Sequence, residues 1–539
     1  MEFGMSIERV IVKNYRALAS TDILFRPDFN IIVGDNESGK STLLEAINLA
    51  LKYQINRRPA PYELHPYLFN LRCVAQYIEN LKKGLRLRPP EILVELYFRE
   101  NSDFAKFRGT NNSLGENAQG VSVSISLDDD HYGEEFRKYI ADPQVVKTIP
   151  IEYYRSIWRD FSGEPLDNRS MSLRSSLIDP GSISNTFAAN KYIVEFTREY
   201  LTPEQQVDVA LSYRKMRDIF ATESGISKIN EGLAKKKGVV SEKELSIAMD
   251  MTARAGWEGG VLPYLDEIPI TLVGKGEQNS IKIKLAVEAA MEAEKASQVI
   301  LIEEPENHLS HPRLNHLLDH LVKKAIGTQL IVTTHSSFVL NKLGVENVLM
   351  LHNNGAITLA DLSKPTMDYF KKLPGHDTLR MILAKRTILV EGPSDELLVL
   401  KAFLQKHGKT PLQDGVEVIS VNALAFKRFL EIAKALKIEA CVVTDNDGKV
   451  AALRKKYAEY EGEKGIRICF SKDEKLRTLE PHVLAANGRE KLNRVLGKSC
   501  STDEELLSYM EESKTEYALK ILESAEQIEI PEYIQDAIK

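Results

Sequence analysis

The sequence predicts an α/β protein: a parallel-sheet nucleotide-binding domain carrying a helical insertion, followed by a smaller parallel α/β domain. Three observations predict it. An apolar strand, FNIIVG, runs into the glycine-rich loop GDNESGKS at 34–41 and then into the helical stretch STLLEAINLALKY, the order that a phosphate-binding loop requires. Far downstream, LIEEPENH at 301–308 sets an acidic pair at the end of an apolar run. Finally, two acidic strand ends, VEGPSDE at 390–396 and VVTDNDG at 442–448, stand among alternating strands and helices.

At 539 residues the chain exceeds one core, and two or three domains are expected. Hydrophobic residues at 43% and charged residues at 27% are those of a globular protein. No apolar run is long enough to span a bilayer and the N-terminus lacks a basic-then-apolar leader, so a cytoplasmic protein without a membrane partner is expected. The cysteines, Cys73, Cys441, Cys469 and Cys500, form no C-x-x-C pair, which argues against a zinc ribbon or a disulfide framework. With a net charge of −6, any nucleic-acid surface must be a local basic patch.

Along the chain, SIERVIVKNY, STDILF and FNIIVG read as three strands, and ILVELYF at 92–98 and VSVSISL at 121–127 as further strands of the same half. These make up a first segment, 1–164. From 165 to 255 the period becomes helical and charged, as in TPEQQVDVALSYRKMRDIF, which predicts an inserted helical region for dimerisation. Residues 256–380 return to alternating helix and strand and close the nucleotide-binding sheet, with a peripheral strand pair and a linker at 346–380. Residues 381–539 form the second α/β domain.

In the glycine-rich loop, Gly34 and Gly39 let the backbone of Asp35, Asn36, Glu37 and Ser38 wrap with its amides facing phosphate. Lys40 reaches the terminal phosphates, and Ser41, beside Thr42, offers a hydroxyl to magnesium. Glu303 is placed to join the magnesium shell and Glu304 to polarise the attacking water. His335, ending LIVTTH, would sit near the γ-phosphate. The segment GKGEQNS at 274–280 precedes a helix and could present amides to phosphate.

The second domain carries a different chemistry. Glu391 emerges at the carboxyl end of one apolar strand, and Asp445 and Asp447 at the end of another, where α/β sheets place their sites. Hard oxygen ligands select Mg²⁺ or Mn²⁺ over zinc. Asp- and Gly-rich turns also arise simply as helix caps, so either half alone would mean little. Lys449, Arg454, Lys455 and Lys456 follow the second strand, with Lys427 and Arg428 as an extension, and could neutralise DNA phosphates.

These motifs carry two resemblances. GDNESGKS, LIEEPENH and LIVTTH, with Asn14, Tyr15 and Arg16 on the first strand, resemble ATPase heads of the ABC and SMC/RecF type. That resemblance implies ATP, a homodimer or higher oligomer, and a signature segment closing on the nucleotide, here the degenerate GKGEQ. The two acidic strand ends, each with a glycine after its acid, resemble the Toprim domain. An ABC-type head followed by a Toprim domain on one chain resembles the OLD (overcoming lysogenization defect) family of ATP-dependent endonucleases.

Carried over from that family, Glu391, Asp395, Asp445, Asp447 and Glu480 would hold one or two metals, with Glu396 as a substitute for Asp395 and Lys514 neutralising charge on phosphorus. Glu391 could instead act as a base. The resemblance implies a metal-dependent DNA endonuclease, nicking or cutting both strands, in antiphage defence, with a UvrD-like helicase or a retron reverse transcriptase and its nucleic acid as partners. The alternative is a RecF/SMC-like DNA-binding ATPase with a non-catalytic Toprim domain, acting in repair or recombination.

Overall fold

The structure is a computed structural model that describes residues 6–539 except 36–37, 57, 86, 168–173, 179–200, 238–242, 244, 250–256, 258–260, 262, 293–297, 325–326, 353–354, 360–361, 373–377 and 422–425. The chain divides into two units, one of Met1–Ser6 with Arg169–Val332 and another of Ile7–Asn168 with Thr333–Lys539. Among the described residues no helix is long and apolar enough to cross a membrane.

The second unit opens with antiparallel strands Ile7–Tyr15 and Leu18–Leu24, and Ile7–Tyr15 also pairs with Ile92–Phe98. Their alternating apolar positions, Val10, Val12, Ile23, Val94 and Leu96, are all buried. The phosphate-loop strand Phe29–Val33 pairs in parallel with Val348–His352, which pairs antiparallel with Gly355–Thr358. That last strand meets Leu18–Leu24. The strand pair read as peripheral is therefore an internal part of the sheet: Val348, Leu349 and Leu351 are buried, which the short apolar run could not distinguish from an edge.

Helix Lys40–Lys52 buries Leu43, Leu44, Ala46, Ile47 and Leu51. Its far end is fastened by the Trp158 indole, which donates to the Ala50 carbonyl at 2.9 Å and stacks on Tyr53 at 5.3 Å. The glycine-rich loop thus hangs between a buried strand and an anchored helix.

In the first unit, Arg174–Ile178 and Gln298–Glu303 are neighbouring parallel strands. Arg174–Ile178 falls in the stretch read as a helical insertion, so that stretch is not wholly helical. Helices Pro203–Thr222 and Ser224–Ala234 account for its described helical part, the first closed by a capping box of Thr202 and Gln205. Much of the rest of 165–255 lies outside the described residues.

GKGEQNS does not precede its helix but begins it: the helix is Lys275–Glu292. A Cβ at Gly276 would meet the His308 carbonyl oxygen at 2.1 Å, so close backbone packing already requires that glycine.

The C-terminal domain is a four-stranded sheet in the order Val416–Ser420, Arg386–Val390, Glu439–Val443, Ile466–Cys469. All its pairings are parallel. The two central strands read TILV and ACVV because a parallel sheet is covered on both faces, and Ile388, Leu389, Val390, Val442 and Val443 are 0% exposed. Helices Pro393–His407, Leu479–Asn487 and Lys514–Glu523 contribute to one core with these strands.

Candidate metal and nucleotide sites

Glu391 and Asp445 leave the carboxyl ends of neighbouring strands, and hydrogen bonds join those ends directly. Glu391 Oε1 accepts from the Asp445 amide at 2.9 Å and from the Thr444 hydroxyl. Asp395 comes from the first turn of the next helix, where Pro393 occupies a position without need of an N–H. Its Oδ2 accepts from the Gly392 amide at 3.1 Å, so it caps the helix while remaining buried.

Glu480, 2% exposed, enters from the first turn of Leu479–Asn487. Lys514 opens its own helix with the side chain 58% exposed and Nζ 3.8 Å from Glu480 Oε1. A cation at a helix N-terminus opposes the helix dipole, so local helix stability does not explain it.

Burial pushes the Asp395 carboxyl up to about 7, with Glu391 adding to the rise. Burial pushes Asp445 up to about 8, with Asp395, Glu391, Glu480 and Asp447 contributing in turn. Carboxylates that raise one another in this way share a field that a cation would relieve. Asp445 Oδ1 and Glu480 Oε2 are buried without a hydrogen-bond partner. Among the described residues no three acidic, histidine or cysteine side chains are already gathered as a metal cage. Orphaned, buried, all-oxygen donors fit a hard divalent cation.

The structure brings together Glu391, Asp395, Asp445, Glu480 and Lys514. Asp447 lies at the rim, exposed, with φ 50°, and Glu396 is half-buried. Two residues were missed. Tyr517 and Tyr533 bury their hydroxyls beside these carboxylates: burial first, then Glu480, Asp395 and Asp445 for Tyr517 and Asp445 and Asp395 for Tyr533, pushes both phenols up. The signal for Tyr517 was its place one helical turn after Lys514.

Of the basic run, Arg454, Lys455 and Lys456 are exposed on helix Val450–Tyr457, just after the aspartates. Lys427 and Arg428 are engaged elsewhere, by Glu459 at 2.7 Å and the Thr366 hydroxyl at 3.1 Å.

At the glycine-rich loop, Lys40 is 6% exposed and donates to the Gly34 and Asp35 carbonyls at 2.8 and 3.0 Å. Gly39 takes φ 95°, a left-handed conformation suited to glycine. Ser41 is exposed and Thr42 half-buried, while Asn36 and Glu37 lie outside the described residues. His335 is exposed after its strand. In the other unit, Glu303 ends Gln298–Glu303, and Glu304 takes φ 43° and accepts from Asn307 at 2.7 Å.

Comparison with known proteins finds two families along the chain. Residues 382–447 match the family described as overcoming lysogenization defect protein-like, TOPRIM domain. Residues 382–447 are an OLD-like Toprim region. Residues 5–117 match an AAA ATPase domain, so an ATPase part precedes the OLD-like part on one chain.

The chain is similar to an OLD nuclease of Thermus scotoductus, 24% identical over 473 residues that cover 82% of each protein. It is also 38% identical over 73 residues to a DNA replication and repair protein RecF of Actinobacillus pleuropneumoniae, covering 13% of this chain and 20% of that one. Among solved structures, the C-terminal region of the Xanthomonas campestris pv. campestris OLD protein aligns at 21% identity and a TM-score of 0.24, over 30% of this chain and 92% of that one.

Proposed function

We propose that this protein is an ATP-regulated nuclease that hydrolyses DNA phosphodiesters at the Toprim carboxylates with Mg²⁺ or Mn²⁺. The observation that carries this reading is the convergence of Glu391, Asp395, Asp445 and Glu480 at neighbouring strand ends, with buried oxygens lacking partners. Glu391, Asp395, Asp445, Asp447 and Glu480 would hold the cation, which when bound would supply charge neutralisation and an activated water.

The chain's own groups do the rest. The Thr444 hydroxyl and Asp445 amide orient Glu391. Lys514, exposed yet beside Glu480, is placed to meet charge developing on a phosphate. Arg454, Lys455 and Lys456 offer a positive face to the DNA backbone.

At the head, Lys40, Ser41, Thr42 and His335 would bind ATP, and closure of two heads on nucleotide would make the protein a dimer. The resemblance to OLD nucleases extends this reading to antiphage defence, beside a helicase or reverse transcriptase; a gene deletion that raises phage plating efficiency would support it.

The test is incubation of plasmid DNA with the protein, with and without Mg²⁺, Mn²⁺ and ATP, beside Asp445→Asn. Metal-dependent conversion of supercoiled DNA to open-circle or linear forms, lost in the variant, is expected. Equal DNA processing by both proteins would return the reading to a DNA-binding ATPase.

A further inference from the structure

Asn446, the residue between the two aspartates, is 3% exposed. Its amide nitrogen donates to the carbonyls of Ser471, Asp473 and Leu476 at 3.0, 2.8 and 3.3 Å. Its carbonyl oxygen accepts from the Gly448 amide at 2.7 Å. One side chain therefore shapes two loops, its own and the one that leads into the helix bearing Glu480.

Two further contacts run the same way. The Asp447 amide donates to the Arg477 carbonyl at 3.1 Å, and the Val450 amide to Glu474 Oε1 at 3.0 Å. Asp447 and Gly448 both take positive φ, 50° and 71°, a strained turn for Asp447 that the Asn446 carbonyl helps to close. A Cβ at Gly448 would lie 3.2 Å from Arg477 Nε, so the loops touch here.

We propose that Asn446 is a positioning residue that sets Glu480 relative to Asp445 and so fixes the spacing of the metal ligands. Glu480 lies shortly after Leu476, and Arg477 and Thr478 are all that separates the tether at Leu476 from its helix. Aspartate at 446 would have nearly the same shape but would face three carbonyl oxygens with no hydrogen to give. An asparagine is thus required where a third carboxylate would spoil the geometry. This inference rests on the metal-site reading, because it names what holds that site in register.

Groups that orient metal ligands typically carry about 10–100-fold in metal affinity. Mn²⁺ titration followed by electron paramagnetic resonance, on wild-type protein, Asn446→Asp, Asn446→Ala and Asp445→Asn, reads that effect without turnover. Both Asn446 variants should bind Mn²⁺ about 10–100-fold more weakly. Trypsin cleavage after the exposed Lys472 and Lys475 should accelerate in both, with far-ultraviolet circular dichroism unchanged.

Wild-type Mn²⁺ affinity together with wild-type cleavage rates at those lysines in both Asn446 variants would overturn the proposal. If wild-type protein binds no Mn²⁺, or Asp445→Asn binds it normally, the metal-site reading fails by itself. The trypsin arm then still decides the tether.

Discussion

The Asp445 amide donates to the Glu391 carboxylate at 2.9 Å, so one proposed metal ligand fixes the backbone of another. Glu391→Gln keeps an oxygen that can accept this bond but removes the charge. It should lower metal-dependent DNA cleavage at least about 100-fold with little change in melting temperature. Glu391→Ala also loses the acceptor for Thr444 and Asp445 and should cost roughly 1–3 kcal/mol of stability. Cleavage rates and thermal melts of the two variants, compared side by side, separate charge from scaffold. Equal melting of both would mean that the bond does not hold the strands.

The raised carboxyls make stability depend on pH in a definite direction. Burial raises Asp445 from 3.8 to about 8 and Asp395 to about 7, so between about pH 4 and 8 the folded chain holds protons that the unfolded chain has released. Metal-free stability therefore falls as pH rises through that window. Bound cation removes the penalty, so the Mn²⁺-induced rise in melting temperature should be larger at pH 8 than at pH 5.5. In Asp445→Asn the metal-free slope should be shallower than in wild type. Parallel melting curves in EDTA would show that these groups titrate normally.

Lys40 spends its three donors partly on its own loop, at the Gly34 and Asp35 carbonyls. Lys40→Ala removes that closure together with the charge that would meet phosphate. ATP affinity by calorimetry should fall by at least about tenfold. If nucleotide controls the nuclease, DNA cleavage by this variant should lose its response to ATP while its ATP-free rate stays near wild type. An unchanged ATP response would separate the two activities.

The sequence made the strand ends legible because buried parallel strands leave continuous apolar runs, and because each run here gives way to acids with a glycine close behind. Glu391 and Asp445 were readable for that reason. Asn446 was not, since its work is done by three carbonyls some distance along the chain. Tyr517 and Tyr533 look like ordinary core residues until their hydroxyls are found among carboxylates. The Val348–His352 strand was misplaced at the periphery because its pairing with Phe29–Val33 is set by topology, not by local pattern. Helix Leu71–Lys82 was legible but unread: Asn70 caps it through the Arg72 and Cys73 amides.

Within its unit, the Toprim domain is fastened to the segment before it through Glu431. This carboxylate accepts from the Ser363 amide, from Ser363 Oγ at 2.9 Å and from Thr366 Oγ1. Phe370 meets Phe429 edge to face at 5.2 Å beside it. Truncating Glu431 removes the acceptor of the Ser363 amide and one of the bonds of the buried Thr366 hydroxyl, which keeps those from Arg428 and Ser363 Oγ. Glu431→Ala should cost roughly 1–3 kcal/mol, whereas Glu431→Gln, which keeps one acceptor oxygen, should cost less. The metal ligands lie on other elements, so Mn²⁺ affinity should be retained while amide exchange rises in helices Lys364–Lys372 and Phe426–Leu436. If ATP control of cleavage passes through this contact, Glu431→Ala should weaken the ATP response without lowering the ATP-free rate. Faster exchange with an intact ATP response would assign the contact to stability alone.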